Sequence, residues 1–340
     1  MSAERPCPAC AEAAGADFVE EHLDPIGGGR YRLLLCRGCG VVFSEPREAV
    51  GADWYEKAAP LRAREARARG AGVDWRYERF LAEGLPPGRL LDVGCGGGDF
   101  LLLAQARGFS VAGVDYDRRM VELALARGVA DAECAGLHEF CARRAAAELD
   151  YATLFDVLEH LPEPRRLALE LRRLLRPGGY LAVTLPNAER PLPWRREEHD
   201  YPPHHFTRWT PIALRGFLER CGFETVRQDV SRVRLRYLAD HAFYYGLAPG
   251  PLRLVKRMLF GRQAGTISEL YAAAPGGSSP LRGALSDKLT RQKLADAAKA
   301  ACSLVTYPTA LAQMAWYAAA RRRGGDCLYT LARRKPATRA

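Results

Sequence analysis

Runs of apolar residues alternate with amphipathic stretches through the middle of the chain. Leu90, Leu91 and Val93 make a short apolar run that ends in glycine. Phe100–Ala106 repeats apolar residues at helical spacing and stops before Gly108. "FSVAGV" (Phe109–Val114) predicts a second strand that ends in Asp115. Asp117–Arg127 predicts a helix stopped by Gly128, and Val129–Cys134 a short third strand. Tyr151–Phe155 predicts a fourth strand. The amphipathic run Glu163–Leu175 follows, closed by Pro177-Gly178-Gly179, then a fifth strand over Tyr180–Leu185. Thr210-Pro211 opens a helix to Cys221 with a capping hydroxyl and a proline in its first turn. Gly222 ends it before a sixth strand, Phe223–Val230. Strands alternating with helices predict an α/β fold built on a mostly parallel sheet.

The chemistry sits first in "RLLDVGCGGGDF" (Arg89–Phe100). Strand, glycine turn, helix and second strand, with Asp115 about 20 residues beyond the turn, is the layout of a dinucleotide-binding unit. The turn itself reads G-x-G-x-x-D, from Gly94 through Gly96 to Asp99. A pyrophosphate needs a bare, positive helix N-terminus. Asp99 is expected to cap that helix and to repel an anion there. A ligand without phosphate and with positive groups fits better, and S-adenosylmethionine is such a ligand. Asp115 would accept its ribose hydroxyls, Gly94 and Gly96 would admit its methionyl part against backbone, and Asp92 would orient the turn or meet the ammonium through water. No G-K-[ST] follows, so a P-loop is excluded.

Four of the ten cysteines form two pairs, Cys7-x2-Cys10 and Cys36-x2-Cys39. Each pair puts two sulfurs on one tight turn, and two such turns surround a tetrahedral Zn²⁺. Four thiolates leave no open position, so the zinc is read as structural. A segment of this size has too little core to fold alone, and metal binding would supply on the order of 10 kcal/mol.

"LLDVGCGGGDF", "VAGVDYD" and "FDVLEHLPEPRRLALELRRLLRPGGYLAVTLPN" (Phe155–Asn187) resemble the class I S-adenosylmethionine-dependent methyltransferases. The resemblance covers Leu85–Val230 and returns at "DCLYTLARR" (Asp326–Arg334), which looks like that family's final antiparallel strand. The four-cysteine segment followed by "FSEPREAVGADWYEKA" looks like the N-terminal zinc module of some sugar and natural-product methyltransferases. It implies a Rossmann-like seven-stranded sheet with an N-terminal zinc ribbon. It also implies a cofactor set of Asp92, Gly94, Cys95, Gly96, Asp115, Tyr116, Leu137, Phe155 and Asp156. An acid after the third strand is usual in the family; here "CAGLHEF" (Cys134–Phe140) offers backbone of Leu137 or His138, and the adenine contact stays open. The fourth strand ends in "FDVLEH", not in the acid- or Asn-Pro-Pro-aromatic signature of base-amine methyltransferases.

"PNAERPLPWRREEHDYPPHHFTRWTP" (Pro186–Pro211) is a long, proline-rich loop crowded with histidine and aromatic residues. Long loops of this kind are usually functional. Methyl transfer to an alcohol needs a base near neutral pH, and histidine suits it. His204 or His205 is expected to take the proton, with Asp200 or His199 orienting or substituting. Arg195 and Arg196 would hold a diphosphate or carboxylate on the acceptor, or form a solvated basic turn. No metal-ligand spacing is recognisable in this loop. Glu159 and His160 read as a local pair that packs a turn.

The expected organisation is a zinc ribbon (1–47), a helical linker (48–84), a methyltransferase core (85–236), a helical insert (237–324) and the last core strand with a tail (325–340). The insert reads as a cap or lid; a homodimer surface and an interfacial helix in peripheral membrane contact are its alternatives. Net charge is +10, carried almost wholly by arginine spread along the chain. RNA binding would need a basic ribbon, but acids outnumber arginines between Cys7 and Cys39. A small-molecule acceptor is therefore the expected partner, a sugar or glycan precursor or a natural product, with O-transfer favoured over C-transfer. A non-catalytic scaffold and a nicotinamide oxidoreductase are the rivals. With no signal peptide or clean apolar span, the expected location is cytoplasmic.

Overall fold

The structure is a computed structural model. It describes residues 6–12, 15–48, 54, 74–190, 200–232, 238, 307–308, 310–312, 315 and 325–336. The proposed linker and insert fall largely outside these residues, as do His199, Arg195 and Arg196.

Three antiparallel strands open the chain: β1 (Ala16–Leu23), β2 (Arg30–Cys36) and β3 (Val42–Glu45). After them come α1 (Trp75–Leu81), β4 (Arg89–Val93), α2 (Asp99–Gln105), β5 (Ser110–Asp115), α3 (Arg118–Ala126), β6 (Ala132–Cys134) and α4 (Leu137–Arg143). The second half holds β7 (Leu149–Phe155), α5 (Pro164–Leu174), β8 (Leu175–Pro186), β9 (Thr207–Arg208), α6 (Pro211–Arg220), β10 (Phe223–Val230) and β11 (Cys327–Arg334).

The main sheet has seven strands in the order β10-β11-β8-β7-β4-β5-β6. From β8 to β6 they run parallel, and β11 is antiparallel to both β8 and β10. Strand order reverses between β4 and β7, and ligands of open α/β sheets bind at the carboxyl ends beside such a reversal. Side chains alternate across the sheet. Leu91, Val93 and Leu154 enter one buried cluster with α5 and α6, while Leu90 and Val111 enter another with Phe80, Phe100, Phe109 and Tyr329.

Two elements depart from the sequence pattern. The fifth-strand segment begins at Leu175, not Tyr180, because Leu175 already pairs with Leu149; the register then shifts before Tyr180 pairs with Tyr151, across a stretch in which Gly178 is left-handed (φ 80°). The ribbon is also not self-contained. Val42 and Phe43 pair with Arg208 and Thr207, so β9, from the loop after β8, becomes the fourth strand of the N-terminal sheet. Cys7, Cys36, Val41 and Phe43 share one buried cluster with Leu185, Trp209 and Leu214.

Candidate active site

The glycine turn leaves β4 at the reversal point. Gly94, Gly96 and Gly98 all have left-handed φ values (75°, 50° and 79°), a region costly for residues with a Cβ. A Cβ on Gly94 would lie 2.5 Å from Val157 Cγ2, whereas one on Gly96 would meet nothing within 4 Å. The turn is thus tight on its inner side and open at Gly96. The Gly96 amide donates to Asp115 Oδ2 at 2.9 Å, and the Asp117 amide donates to Asp115 Oδ1 at 2.9 Å. Tyr116 is exposed beside it, with its carbonyl 3.5 Å from the Cys134 thiol. Asp92 is buried and accepts from the Thr153 hydroxyl at 2.6 Å. Burial also pushes the Cys95 thiol up, with the charges of Asp92 and Asp115 adding to it. An open turn bounded by two carboxylates fits a ligand with hydroxyl and cationic groups.

The expectation for Asp99 is corrected. Gly98 occupies the cap position of α2 and makes no side-chain cap; its left-handed turn leaves Asp99 as the first helical residue. The Asp99 carboxylate is exposed and pairs with Arg127 at 2.6 Å, and the same guanidinium donates to the Gly97 carbonyl at 2.6 Å. This exposed pair offsets only part of its charge, and the acid keeps its place in the first turn of α2. Leu137 begins α4 behind Gly136 and packs partly against the core. His138 pairs with Glu170 on α5 at 2.7 Å.

At the end of β7, Phe155 packs edge-on to Phe100 and Tyr77, with centroids 4.8 and 5.3 Å apart. Asp156 follows with φ 56°, accepts from Thr184 at 3.0 Å and pairs with the buried Arg76. Arg76 also holds Asp74, its Nε donating at 2.9 Å. Arg76 and Tyr77 belong to α1, in a stretch the sequence offers only as linker. The signal was "DWRYERFL", an Asp-capped helix with arginine and aromatics on one face.

The loop after β8 is gathered by ion pairs and by the ribbon. Asp200 pairs with Arg190, both fully buried, and the Asp200 carbonyl accepts from Arg208 Nε at 3.2 Å. Arg208 reaches Glu20 of β1 at 2.8 Å, and Tyr201 stacks on His22 at 4.3 Å. His204 and His205 are buried and stacked, centroids 4.7 Å apart. His160, on a short 3-10 turn after β7, lies edge-on to both at 4.6 and 4.7 Å. The sequence reading of Glu159-His160 as a local pair misses this meeting, because the partners are brought in by topology: the Phe206 amide donates to the Glu159 carbonyl at 2.8 Å. Glu159, Arg190, Asp200, His205 and Arg208 line a cavity of about 10 Å³.

Cys7 and Cys39 sulfurs lie 3.6 Å apart, Cys10 and Cys36 sulfurs 3.7 Å. Tetrahedral Zn²⁺ with bonds of about 2.3 Å sets its sulfurs about 3.8 Å apart. All four ligand atoms fall within 4.8 Å of one another, so the cluster is compatible with zinc. A hydrogen bond from Cys39 holds the Cys7 thiol below the usual thiol range, while burial pushes Cys10 above it. Four crowded thiols cannot all ionise without a cation among them.

Residues 63–228 match the family described as methyltransferase domain. This stretch is an S-adenosylmethionine-dependent methyltransferase domain. The methyltransferase domain is similar to ubiquinone biosynthesis O-methyltransferases. That of Pseudomonas aeruginosa strain LESB58 is 27% identical over 144 residues, covering 41% of this chain and 60% of that protein. That of Acinetobacter baumannii strain AYE is 30% identical over 143 residues, 39% of this chain and 57% of that protein. The chain thus spans no more than 60% of the length of these curated relatives. The crystal structure of a SAM dependent methyltransferase from Archaeoglobus fulgidus aligns with 76% of this chain and 91% of its own at 17% identity and a TM-score of 0.45. Among the described residues, no helix is long and apolar enough to cross a membrane.

Proposed function

We propose that this chain moves the methyl group of S-adenosylmethionine to a hydroxyl of a small acceptor, a sugar or glycan precursor or a natural product. The observation that carries the reading is a convergence at one end of the sheet. The glycine turn with Asp92 and Asp115 leaves β4 and β5, and the histidines meet beyond β7 and β8. Bound there, S-adenosylmethionine supplies an electrophilic methyl on a sulfonium leaving group. Asp115 would hold the ribose hydroxyls, and the backbone at Gly94 and Gly96 would face the methionyl part. Cys95, Tyr116, Leu137, Phe155 and Asp156 would complete the pocket. Arg76 would fix Asp156 from behind. At the acceptor end His204 or His205 would take the hydroxyl proton as the oxygen attacks, with Asp200 orienting His205 across 3.8 Å. The relatives' name specifies O-transfer, which supports oxygen over carbon as acceptor. The four-cysteine cluster would hold structural Zn²⁺.

The test is a screen of labelled methyl transfer to nucleotide sugars, phenols and RNA, with His204→Ala and His205→Ala alongside. Turnover is expected on a hydroxyl-bearing small molecule and a loss of 10²–10⁴-fold in at least one variant. Undiminished turnover in both would remove the base, and calorimetric binding of NADH in place of S-adenosylmethionine would remove the reaction.

A further inference from the structure

We infer that His160, His204 and His205 bind a divalent transition-metal cation, separate from the four-cysteine site. The ligand atoms of the three imidazoles all lie within 4.8 Å of one another, and two of the rings are buried. A tetrahedral ion with Zn–N bonds of about 2.1 Å places its nitrogens about 3.4 Å apart, so binding requires the rings to close in and the stacked His204–His205 pair, now 15° from parallel, to turn its lone pairs toward the ion. Proximity alone would be a weak argument. The second observation is orientation. His160 Nδ1 lies 2.7 Å from the His204 carbonyl, an acceptor that cannot donate, so Nδ1 carries the proton and Nε2 the lone pair. A metal-binding histidine is usually held in this manner, with its other N–H on a carbonyl or carboxylate. His205 Nδ1 faces the Asp200 carboxylate at 3.8 Å, and Asp200 is itself fixed by Arg190 and Arg208.

The surroundings suit a cation. Arg190 and Arg208 are matched by Asp200 and Glu20, and Glu159 adds a further buried carboxylate beside His205. Three imidazoles select Zn²⁺, Co²⁺ or a similar ion over Mg²⁺ or Ca²⁺. Three protein ligands also leave a coordination position open, the mark of a site that handles a reactant. The adjoining cavity, about 10 Å³, has room for about one water-sized group. A hydroxyl bound to the ion there would give up its proton more readily, to the Glu159 carboxylate that lines the cavity, so activation would pass from imidazole to metal. That use of the ion rests on the methyl-transfer reading; the existence of the site does not.

The experiment is metal stoichiometry on the full chain. Protein saturated with Zn²⁺ and desalted is expected to carry two zincs per chain by mass spectrometry. His160→Ala and the double variant His204→Gln/His205→Gln are expected to carry one. One zinc in the unaltered chain, or two in the variants, overturns the inference. Cobalt loading of the unaltered chain makes the test independent of variant folding. The thiolate site absorbs through sulfur-to-cobalt charge transfer, and the second equivalent should add d–d bands without it. Absence of that second component also overturns the site. S-adenosylmethionine calorimetry on the same samples separates the two readings: two metals with no cofactor binding sinks the methyl-transfer reading and spares this one.

Discussion

Thr153 donates its hydroxyl to Asp92 at 2.6 Å, inside the sheet and beneath the glycine turn. Burial pushes the Asp92 carboxyl up from 3.8 to about 7; the Thr153 hydrogen bond opposes this and the charge of Asp115 adds to it. Between those values the folded chain keeps a proton that the unfolded chain has released. Stability therefore falls as pH rises through that window and levels off above it, at a cost on the order of 4 kcal/mol. Asp92→Asn removes the titration and keeps the Thr153 contact. Thermal melts of the two proteins should agree near pH 4 and separate by pH 8, with the variant the more stable. A gap that does not change with pH would contradict the assignment.

Gly94 and Gly96 should respond differently to alanine. At Gly94 the new Cβ meets Val157 at 2.5 Å in a left-handed backbone, adding a clash to about 1–2 kcal/mol of backbone strain. At Gly96 only the strain applies to the free protein, because the space beyond is open. Gly94→Ala is expected to lower both the melting temperature and S-adenosylmethionine affinity. Gly96→Ala is expected to lower affinity at least tenfold with a smaller change in melting temperature. Equal thermal shifts in the pair would argue that the turn is not shaped for a ligand.

Arg76 is buried between Asp74 and Asp156. Desolvation works against its charge, yet Asp156 and Asp74 together hold its pKa above the ordinary arginine value. Breaking a buried pair costs about 3–5 kcal/mol. Asp156→Ala leaves Asp74 in place, so a loss of about 1–3 kcal/mol is expected in urea unfolding, with Arg76→Met costing more. Equal, negligible losses would show the pair to be a surface ornament.

The ribbon and the acceptor loop share one sheet through β3 and β9. Stripping metal from the four-cysteine site with a strong chelator should therefore raise amide exchange at residues 200–208 as well as at 16–45. Exchange in β4 and β5 should stay slow. Unchanged protection at 200–208 would mean that the ribbon only abuts the loop.

Most of the sheet was legible because it is local. Leu90–Val93, Phe223–Val230 and the Thr210-capped helix carry their own boundaries, and Thr210 Oγ1 accepts from the Ala213 amide as the motif requires. The four cysteines were legible because tetrahedral metal binding imposes spacing. The three-histidine cluster was not, since His160 and His204 come from separate loops with no fixed separation in the chain. The cap at Asp99 is not decided by sequence for a related reason: sequence offers both Gly98 and Asp99 at the turn, and only the left-handed backbone chooses between them. The role of Arg76 is not local either, because its partner Asp156 lies on another element altogether.

The two-residue strand β9 has a consequence for biogenesis. Synthesis runs from the N-terminus, so the cysteine knuckles leave the ribosome long before Thr207 and Arg208 exist to finish their sheet. The ribbon thus waits for the loop after β8 before its sheet can close, and a fragment cut after residue 47 would lack that closing edge. Transplanting the ribbon onto another enzyme would require carrying the later loop with it.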